Sequence, residues 1–305
     1  MLKEELQAVA RKNKNLSRPL AALIVVLTNL QEEDIVTASE LIAKTKKMKE
    51  AFLQETRNSL TVRAGCDFAL RIVSKLHYLV LEKSLGEFRR QLRLFVESVH
   101  EECSEIRRRI AKEAYELIPD SAVILLHSNS RCVIKTLEYA QEKGKCLRVF
   151  VAESLPGDRG RRCTAELVKA GIDAQLIHDS TIALHMERAD MVFVGCEGVF
   201  QDGSIFGHVG TYQTAALSKA LRKPFYVCAE YTKILNIQAV SNIHRCKKTL
   251  SCDNVHLFGR TKAATPVSIC MDYVPHGLIT LVVTDVGAMS PLLINQEAMR
   301  FYEPM

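Results

Sequence analysis

Tryptophan is absent from this 305-residue sequence, and aromatic residues amount to only 6%. Proteins that grip nucleic acid show a basic stripe, with stacking aromatics beside it when single strands are bound. Here the formal charge is a mild +6, with lysines and arginines interspersed among acids, so no direct nucleic-acid partner is expected. Long apolar runs are missing too. The longest early one, Leu20 to Leu27, is too short to cross a bilayer. Met1-Leu2-Lys3-Glu4-Glu5 leads into mixed polar residues without a cleavage pattern. Neither a membrane partner nor a secretory leader is expected, and the cytosol is the expected compartment. None of the ten cysteines falls in a Cys-x-x-Cys pair, which removes the zinc-ribbon reading. Cys196 and Cys228 sit inside hydrophobic runs and read as small buried groups. Also missing are a Gly-x-Gly-x-x-Gly turn, a P-loop lysine after Gly157-x-x-Gly160, a Gly-x-Ser-x-Gly elbow and a His-Glu-x-x-His helix. No metal and no cofactor are expected.

What is present is ordinary globular composition, 48% hydrophobic and 25% charged, in a chain long enough for two modest cores. Its character changes near residue 120. Before that point Gly and Pro are nearly absent and apolar residues recur at helical spacing. Leu92, Phe95, Val96, Val99, Ile106, Ile110, Ala114 and Leu117 make one stripe of a long helix over Arg89 to Leu117. Leu20 to Leu30, Ala38 to Leu53 and Gly65 to Leu81 also read as helices. After it, short β-rich runs alternate with helical stretches. The strands are expected at Ser121 to His127, Leu147 to Ala152, Ala174 to Ile177, Asp190 to Gly195, Pro224 to Ala229 and Leu278 to Thr284. The helices between them are expected at Arg131 to Glu142, Arg159 to Ala170, Thr181 to Arg188 and Thr211 to Leu221. Such alternation predicts a parallel sheet with right-handed crossovers. The expected fold is α/β: a helical N-terminal domain over 1–119, then a Rossmann-like, doubly wound, mainly parallel sheet over 120–305. The stretch 231–265 is not readable as a regular element.

In a doubly wound sheet a ligand sits beyond the carboxyl ends of the strands, where strand order reverses. With an order of the 3-2-1-4-5 kind, the reversal brings His127-Ser128-Asn129-Ser130-Arg131 opposite Gly195-Cys196-Glu197-Gly198. Serine and asparagine before a helix are good caps, and amides at a helix start suit an anion. Gly203-Ser204-Ile205-Phe206-Gly207-His208-Val209-Gly210-Thr211 opens the next helix, with glycine allowing close approach of backbone to a ligand. Gly157-Asp158-Arg159-Gly160-Arg161-Arg162 is a further loop suited to an anion. Each feature alone has a plainer reading as a cap, a tight turn or a solvated helix start, and convergence on one sheet edge is what favours a ligand. Ser128, Asn129, Ser130, Arg131, Arg162, Gly195, Glu197, Gly198, His208, Gly210 and Thr211 are the expected ligand-binding residues. Glu153, ending the second strand, stands where a ribose partner could.

The segments ILLHSNSR (Ile124 to Arg131), VAES (Val151 to Ser154), ADMVFVGCEGVFQDGSI (Ala189 to Ile205), VGTYQTAALSKALRKPFYVCAEYTK (Val209 to Lys233) and LITLVVTDVGAMSP (Leu278 to Pro291) resemble one superfamily. It groups the alpha, beta and delta subunits of initiation factor 2B with methylthioribose-1-phosphate and ribose-1,5-bisphosphate isomerases. Length, the Gly-x-Glu-Gly loop and the PFYVCAEYTK and TDVGAMSP segments look most like the alpha branch. The resemblance implies a regulatory subunit of the guanine-nucleotide exchange complex. It would homodimerise, join the other subunits and help sense phosphorylated initiation factor 2, without catalysing a reaction itself. The alternative it carries is an aldose–ketose isomerase acting on a sugar phosphate.

The isomerases, by that resemblance, place a cysteine after the first-strand histidine and an aspartate in the fourth loop as acid and base. Ser128 and Glu197 stand there instead. A serine hydroxyl is a poor proton donor or base at neutral pH, and one extra methylene displaces a carboxylate enough to cost orders of magnitude in rate. No catalytic residue is therefore expected. Where the family has Asn-Lys, this sequence has Gly207-His208, which supplies positive charge only when protonated. A weak sugar-phosphate site, a site for another metabolite such as a nucleotide, and a vestigial pocket all stay open.

Overall fold

The computed structural model describes residues 1–13, 15–32, 37–56, 59–76, 85–235 and 271–296. The chain divides into two compact units, one of residues 1–106 with 232–236 and 296–305, the other of 107–231 with 237–295. The division falls inside a continuous helix, before the change of composition near residue 120.

The first unit is helical: α1 (Leu2–Lys12), α2 (Arg18–Glu32), α3 (Ala38–Glu55), α4 (Leu60–Leu76) and the start of α5 (Leu85–Tyr115). Helix α2 carries an unbroken buried run from Leu20 to Leu27, and a helix apolar all round belongs at the centre of its bundle. Helix α4 approaches α2 so closely that a Cβ on Gly65 would overlap the Pro19 carbonyl. Thr37 caps α3 by accepting from the Glu40 amide at 3.1 Å, and Lys49 pairs with Asp67 between α3 and α4. The helix expected from Gly65 begins earlier, at Leu60, and its expected end at 77–81 lies outside the described residues.

The second unit contains β1 (Val123–His127), α6 (Arg131–Glu142), β2 (Arg148–Ala152), α7 (Arg159–Lys169), β3 (Asp173–Ile177), α8 (Ile182–Arg188) and β4 (Met191–Gly195). It continues with β5 (Gly198–Val199), β6 (Ile205–His208), α9 (Thr211–Ala220), β7 (Phe225–Cys228), β8 (Met271–Val274), β9 (Leu281–Thr284) and β10 (Gly287–Met289). Seven strands form one sheet in the order β10-β9-β7-β4-β1-β2-β3. All its pairings are parallel except that of β10 with β9. The fold is the expected helical region followed by a Rossmann-like, mainly parallel sheet. Strand β1 is buried because it lies mid-sheet, Ile124, Leu125 and Leu126 being almost wholly covered.

A second sheet, β5-β6-β8, is antiparallel and was not legible in sequence. Residues read above as a glycine-rich loop contain β6, whose partner β8 comes more than sixty positions later: His208 is opposite Met271 and Gly207 opposite Asp272. Most of the stretch 231–265 lies outside the described residues.

One buried ion pair joins the end of β7 to α5. Glu230 lies 3.5 Å from Arg107, with both side chains more than nine-tenths covered, and Glu230 Oε2 accepts no hydrogen bond among the described residues. Removing one partner of such a pair strands a buried charge. Arg107→Met is therefore expected to destabilise by about 3–5 kcal/mol in urea denaturation, and adding Glu230→Leu is expected to recover much of the loss. Additive losses in the double variant would show that the two charges act independently.

Candidate functional site

Strands β1 and β4 are neighbours in the sheet although two strands, β2 and β3, lie between them along the chain, so their carboxyl ends frame the switch point. His127 pairs in register with Val194, and the loops that follow are the ones the sequence brought forward. Ser130 caps α6, its Oγ accepting from the Val133 amide at 3.4 Å. Gly195 faces it with no room for a side chain: an added Cβ would overlap Ser130 Cβ and Oγ. Ser128, Ser130 and Gly195 are thus brought together.

Ser128 adopts a left-handed backbone, φ +70°, which L-residues enter only at a cost that surrounding contacts must offset. Its amide donates to Ser154 Oγ at 2.6 Å. Ser154, itself at φ +58°, donates through Oγ to the Ala152 carbonyl at 3.0 Å and through its amide to Asp179 Oδ1 at 2.7 Å. The Leu155 amide donates to the other oxygen, Asp179 Oδ2, at 2.8 Å. One carboxylate beyond β3 therefore orders the loop after β2, which in turn orders the loop after β1. Neither Ser154 nor Asp179 was singled out from sequence. The available signal was an aspartate just past the third strand, at the same sheet edge.

Around α9, Gly210 has φ +96° and lies against the His127 ring, where any Cβ would strike Nε2. His127 is buried, and its pKa is pushed down to about 3 by desolvation and then by the charge on His208, so its imidazole is neutral. Thr211 Oγ1 donates to the His208 carbonyl at 2.5 Å and lies 3.4 Å from His127 Nδ1. His208, Gly210 and Thr211 therefore meet at His127. The helix start is already occupied by an anionic group of the protein: Asp272 Oδ2 accepts from the Gly210 amide at 2.7 Å and the Tyr212 amide at 3.0 Å. An external anion would have to displace that carboxylate. Asp272 was invisible in sequence because it lies on β8, 62 positions beyond Gly210.

The remaining expected residues are more dispersed. Arg162 is exposed and pairs with Asp158 at 3.0 Å, whereas the arginine of this loop whose charge reaches His208 is Arg159. Asn129 Nδ2 donates to Glu166 on α7 at 3.4 Å, and Arg131 is exposed in the first turn of α6. Glu197 is half-buried, its amide donating to the Phe206 carbonyl at 2.8 Å, and Gly198 pairs with Phe206 in the second sheet. Glu153 is not available to a ribose. It accepts from Arg161 at 2.8 Å, and its second oxygen meets His178 Nδ1 at 2.8 Å. These contacts, the His178 hydrogen bond first, hold its carboxyl below the usual range. Among the described residues no three His, Cys, Asp or Glu side chains gather as a metal site.

Ser154→Ala leaves the Ser128 amide without its acceptor. The expected result is a stability loss of about 1–3 kcal/mol, with faster hydrogen exchange at the Ser128 amide, measured by mass spectrometry. For Glu153 the lowered pKa means that its stabilisation is present above the ordinary value of 4.5 and is lost as pH falls through the lowered one. Glu153→Gln is therefore expected to melt below wild type at about pH 7, with the gap narrowing as pH falls below 4.5 and through the lowered pKa.

Known proteins resemble this arrangement along nearly the whole chain. A Translation initiation factor eIF2B subunit alpha from Dictyostelium discoideum is 28% identical over an alignment covering 96% of each chain. A Methylthioribose-1-phosphate isomerase from Desulforudis audaxviator is 31% identical over 68% of this chain and 63% of its own. In three dimensions a chain of the tetrameric eIF2B-beta2-delta2 complex from C. thermophilum has the same fold. Its TM-score is 0.78 at 15% identity, covering 99% of this chain and 94% of that one. No helix among the described residues is long and apolar enough to cross a membrane. With a family model matching continuously over residues 13–291, across the helical region, the switch point and the last strands, the chain belongs to the initiation factor 2 subunit family.

Proposed function

We propose that this chain is a non-catalytic regulatory subunit of the alpha type in an eIF2B guanine-nucleotide exchange complex. Its partners are the other subunits of that complex, a second copy of itself and phosphorylated initiation factor 2, and its compartment is the cytoplasm. The observation that carries the reading is the full-length likeness to an eIF2B alpha subunit, 96% of either chain being covered. In sequence the likeness to isomerases covers a smaller share, between 63% and 75% of their lengths in two of them. The chemistry at the switch point supports it. Ser128 and Glu197 replace the acid and base that the resemblance assigns to the isomerases, and a serine hydroxyl does not titrate near neutral pH.

In this reading the pocket is regulatory and holds a sugar phosphate or a nucleotide metabolite. Of the expected ligand residues, Ser128, Ser130 and Gly195 on one side and His208, Gly210 and Thr211 on the other line it. Arg159 supplies charge in place of Arg162, which is engaged with Asp158.

The test is affinity purification of the tagged full-length chain from its own cells, with mass spectrometry of what is retained. The expected result is recovery of the other exchange-factor subunits together with initiation factor 2. Isolation of the chain alone, coupled to turnover of methylthioribose 1-phosphate that Glu197→Gln abolishes, would replace this reading with the isomerase one.

A further inference from the structure

Helices α6 to α9 end on the amino edge of the main sheet, opposite the switch point, because each returns the chain to the start of the next strand. Basic residues collect there. Arg188 is in the last turn of α8 and Lys219 in the last turn of α9, where a cation complements the helix dipole. The dipole does not account for the two that follow α9. Arg222 is left-handed, φ +56°, within a Schellman close. Its amide donates to the Lys219 carbonyl at 3.2 Å, and the Lys223 amide donates to the Ser218 carbonyl at 2.8 Å. Glycine is usual at that position and any side chain there carries a cost, yet the chain places an exposed guanidinium on it. Lys223 Nζ donates to the Glu187 carbonyl at 3.2 Å. The ends of α8 and α9 therefore meet, and Arg188, Lys223, Arg222 and Lys219 form one basic track.

The acids of this edge are mostly engaged within the protein. Asp120 accepts the Ser121 and Cys146 amides at 2.9 and 3.3 Å, and Asp190 accepts the Val123 amide at 2.8 Å. Asp173 pairs with Arg148 at 3.1 Å, and Glu142 with Lys135 at 3.6 Å. Arg188, Lys219 and Arg222 have no carboxylate partner among the described residues, and Glu187 stands beside them without a basic one.

Next to Arg188 opens a cavity of about 500 Å³. Phe150 and Arg148 of β2, Asp173 and Gln175 of β3, and His185 and Arg188 of α8 line it. Arg148 lies opposite Asp173 and Phe150 opposite Gln175, so all four face the same side of the sheet. His185 Nδ1 lies 2.9 Å from the Thr181 carbonyl oxygen. That nitrogen carries the hydrogen, and the neutral ring presents Nε2 as an acceptor. Gln175 brings a donor and an acceptor together. Such a lining matches peptide groups, each with one N–H and one C=O, whereas a sugar–phosphate backbone has no N–H to give the imidazole. Strand β3 is last in the sheet order, and the outer edge of an end strand offers its backbone groups to an added strand.

We propose that this edge docks an acidic, extended segment of another protein. Its backbone lies against β3 and the cleft, and its carboxylates meet Arg188 and the track leading to Lys219. The surface is on the opposite edge from the switch point and does not depend on the function proposed above.

The test is fluorescence anisotropy of the full-length protein with a labelled peptide of alternating glutamate and threonine. It is about twelve residues long, with threonine chosen because it favours extended chain. The controls are the same peptide with lysine for glutamate, and an oligothymidylate of matching charge. The glutamate peptide is expected to bind and the lysine peptide to fail. Affinity should fall severalfold between about 50 and 200 mM salt as the Debye length shortens. Arg188→Glu is expected to weaken binding about tenfold. Arg11→Glu, exposed on α1, should leave binding unchanged. Both substitutions are at exposed positions, and a thermal melt by circular dichroism checks that each variant folds. Absence of binding by the glutamate peptide, or binding that a folded Arg188→Glu retains in full, would overturn the inference. Oligothymidylate binding as tight as the peptide's would overturn it too, by showing a surface for polyanions in general.

Discussion

The carboxylate of Asp179 accepts the amides of Ser154 and Leu155, and Ser154 accepts the amide of Ser128. On that short chain of hydrogen bonds the geometry of the sheet edge depends. A parallel sheet delivers its loops to one side but does not fix their conformation. Two serines held in left-handed backbone need contacts strong enough to offset the strain. Charge-assisted bonds to an aspartate are of that kind. Once Ser154 is fixed, Ser128 is fixed, and Ser130 can cap α6 at the distance that leaves Gly195 no room for a side chain.

The same edge shows how much of its polarity the protein satisfies by itself. Asp272 closes the start of α9, and Glu153 is engaged by Arg161 and His178. A buried charge or amide left without a partner costs more than the bond that satisfies it contributes. An edge so internally bonded offers few groups to a ligand, and this selectivity makes the remaining ones informative. His127 and His208 stay neutral because burial disfavours their charged forms, so the pocket is less basic than its histidine content suggests.

Six of the seven strands of the main sheet and the helices between them were legible because buried strands need continuous apolar runs and crossover helices need a 3.6-residue stripe, whereas the short antiparallel β10 was not expected. Segments such as VILLH and RVFVA meet the first condition. The second sheet was not legible. Its strands are too short to show a period, and β6 finds its partner on β8 only after a long intervening segment. The boundary between compact units was hidden for a related reason: a change of composition marks where helix gives way to strand, whereas contacts divide the chain inside α5, which continues unbroken to Tyr115.

By itself the sequence determined the alternation of strands and helices in the main sheet, because hydrophobic period encodes it; given a strand order of the 3-2-1-4-5 kind, it also located the edge on which a site would lie. Only the tertiary structure decided which polar residues at that edge are already spoken for. Arg162 turns to Asp158 while the charge of Arg159 reaches His208. Asp272 arrives from β8 to fill a helix start, and Asp179 orders the loop after β2 and, through Ser154, the loop after β1. Those pairings join residues distant in the chain, and a hydrogen bond is specified by position and direction in space, which residue type and spacing do not encode.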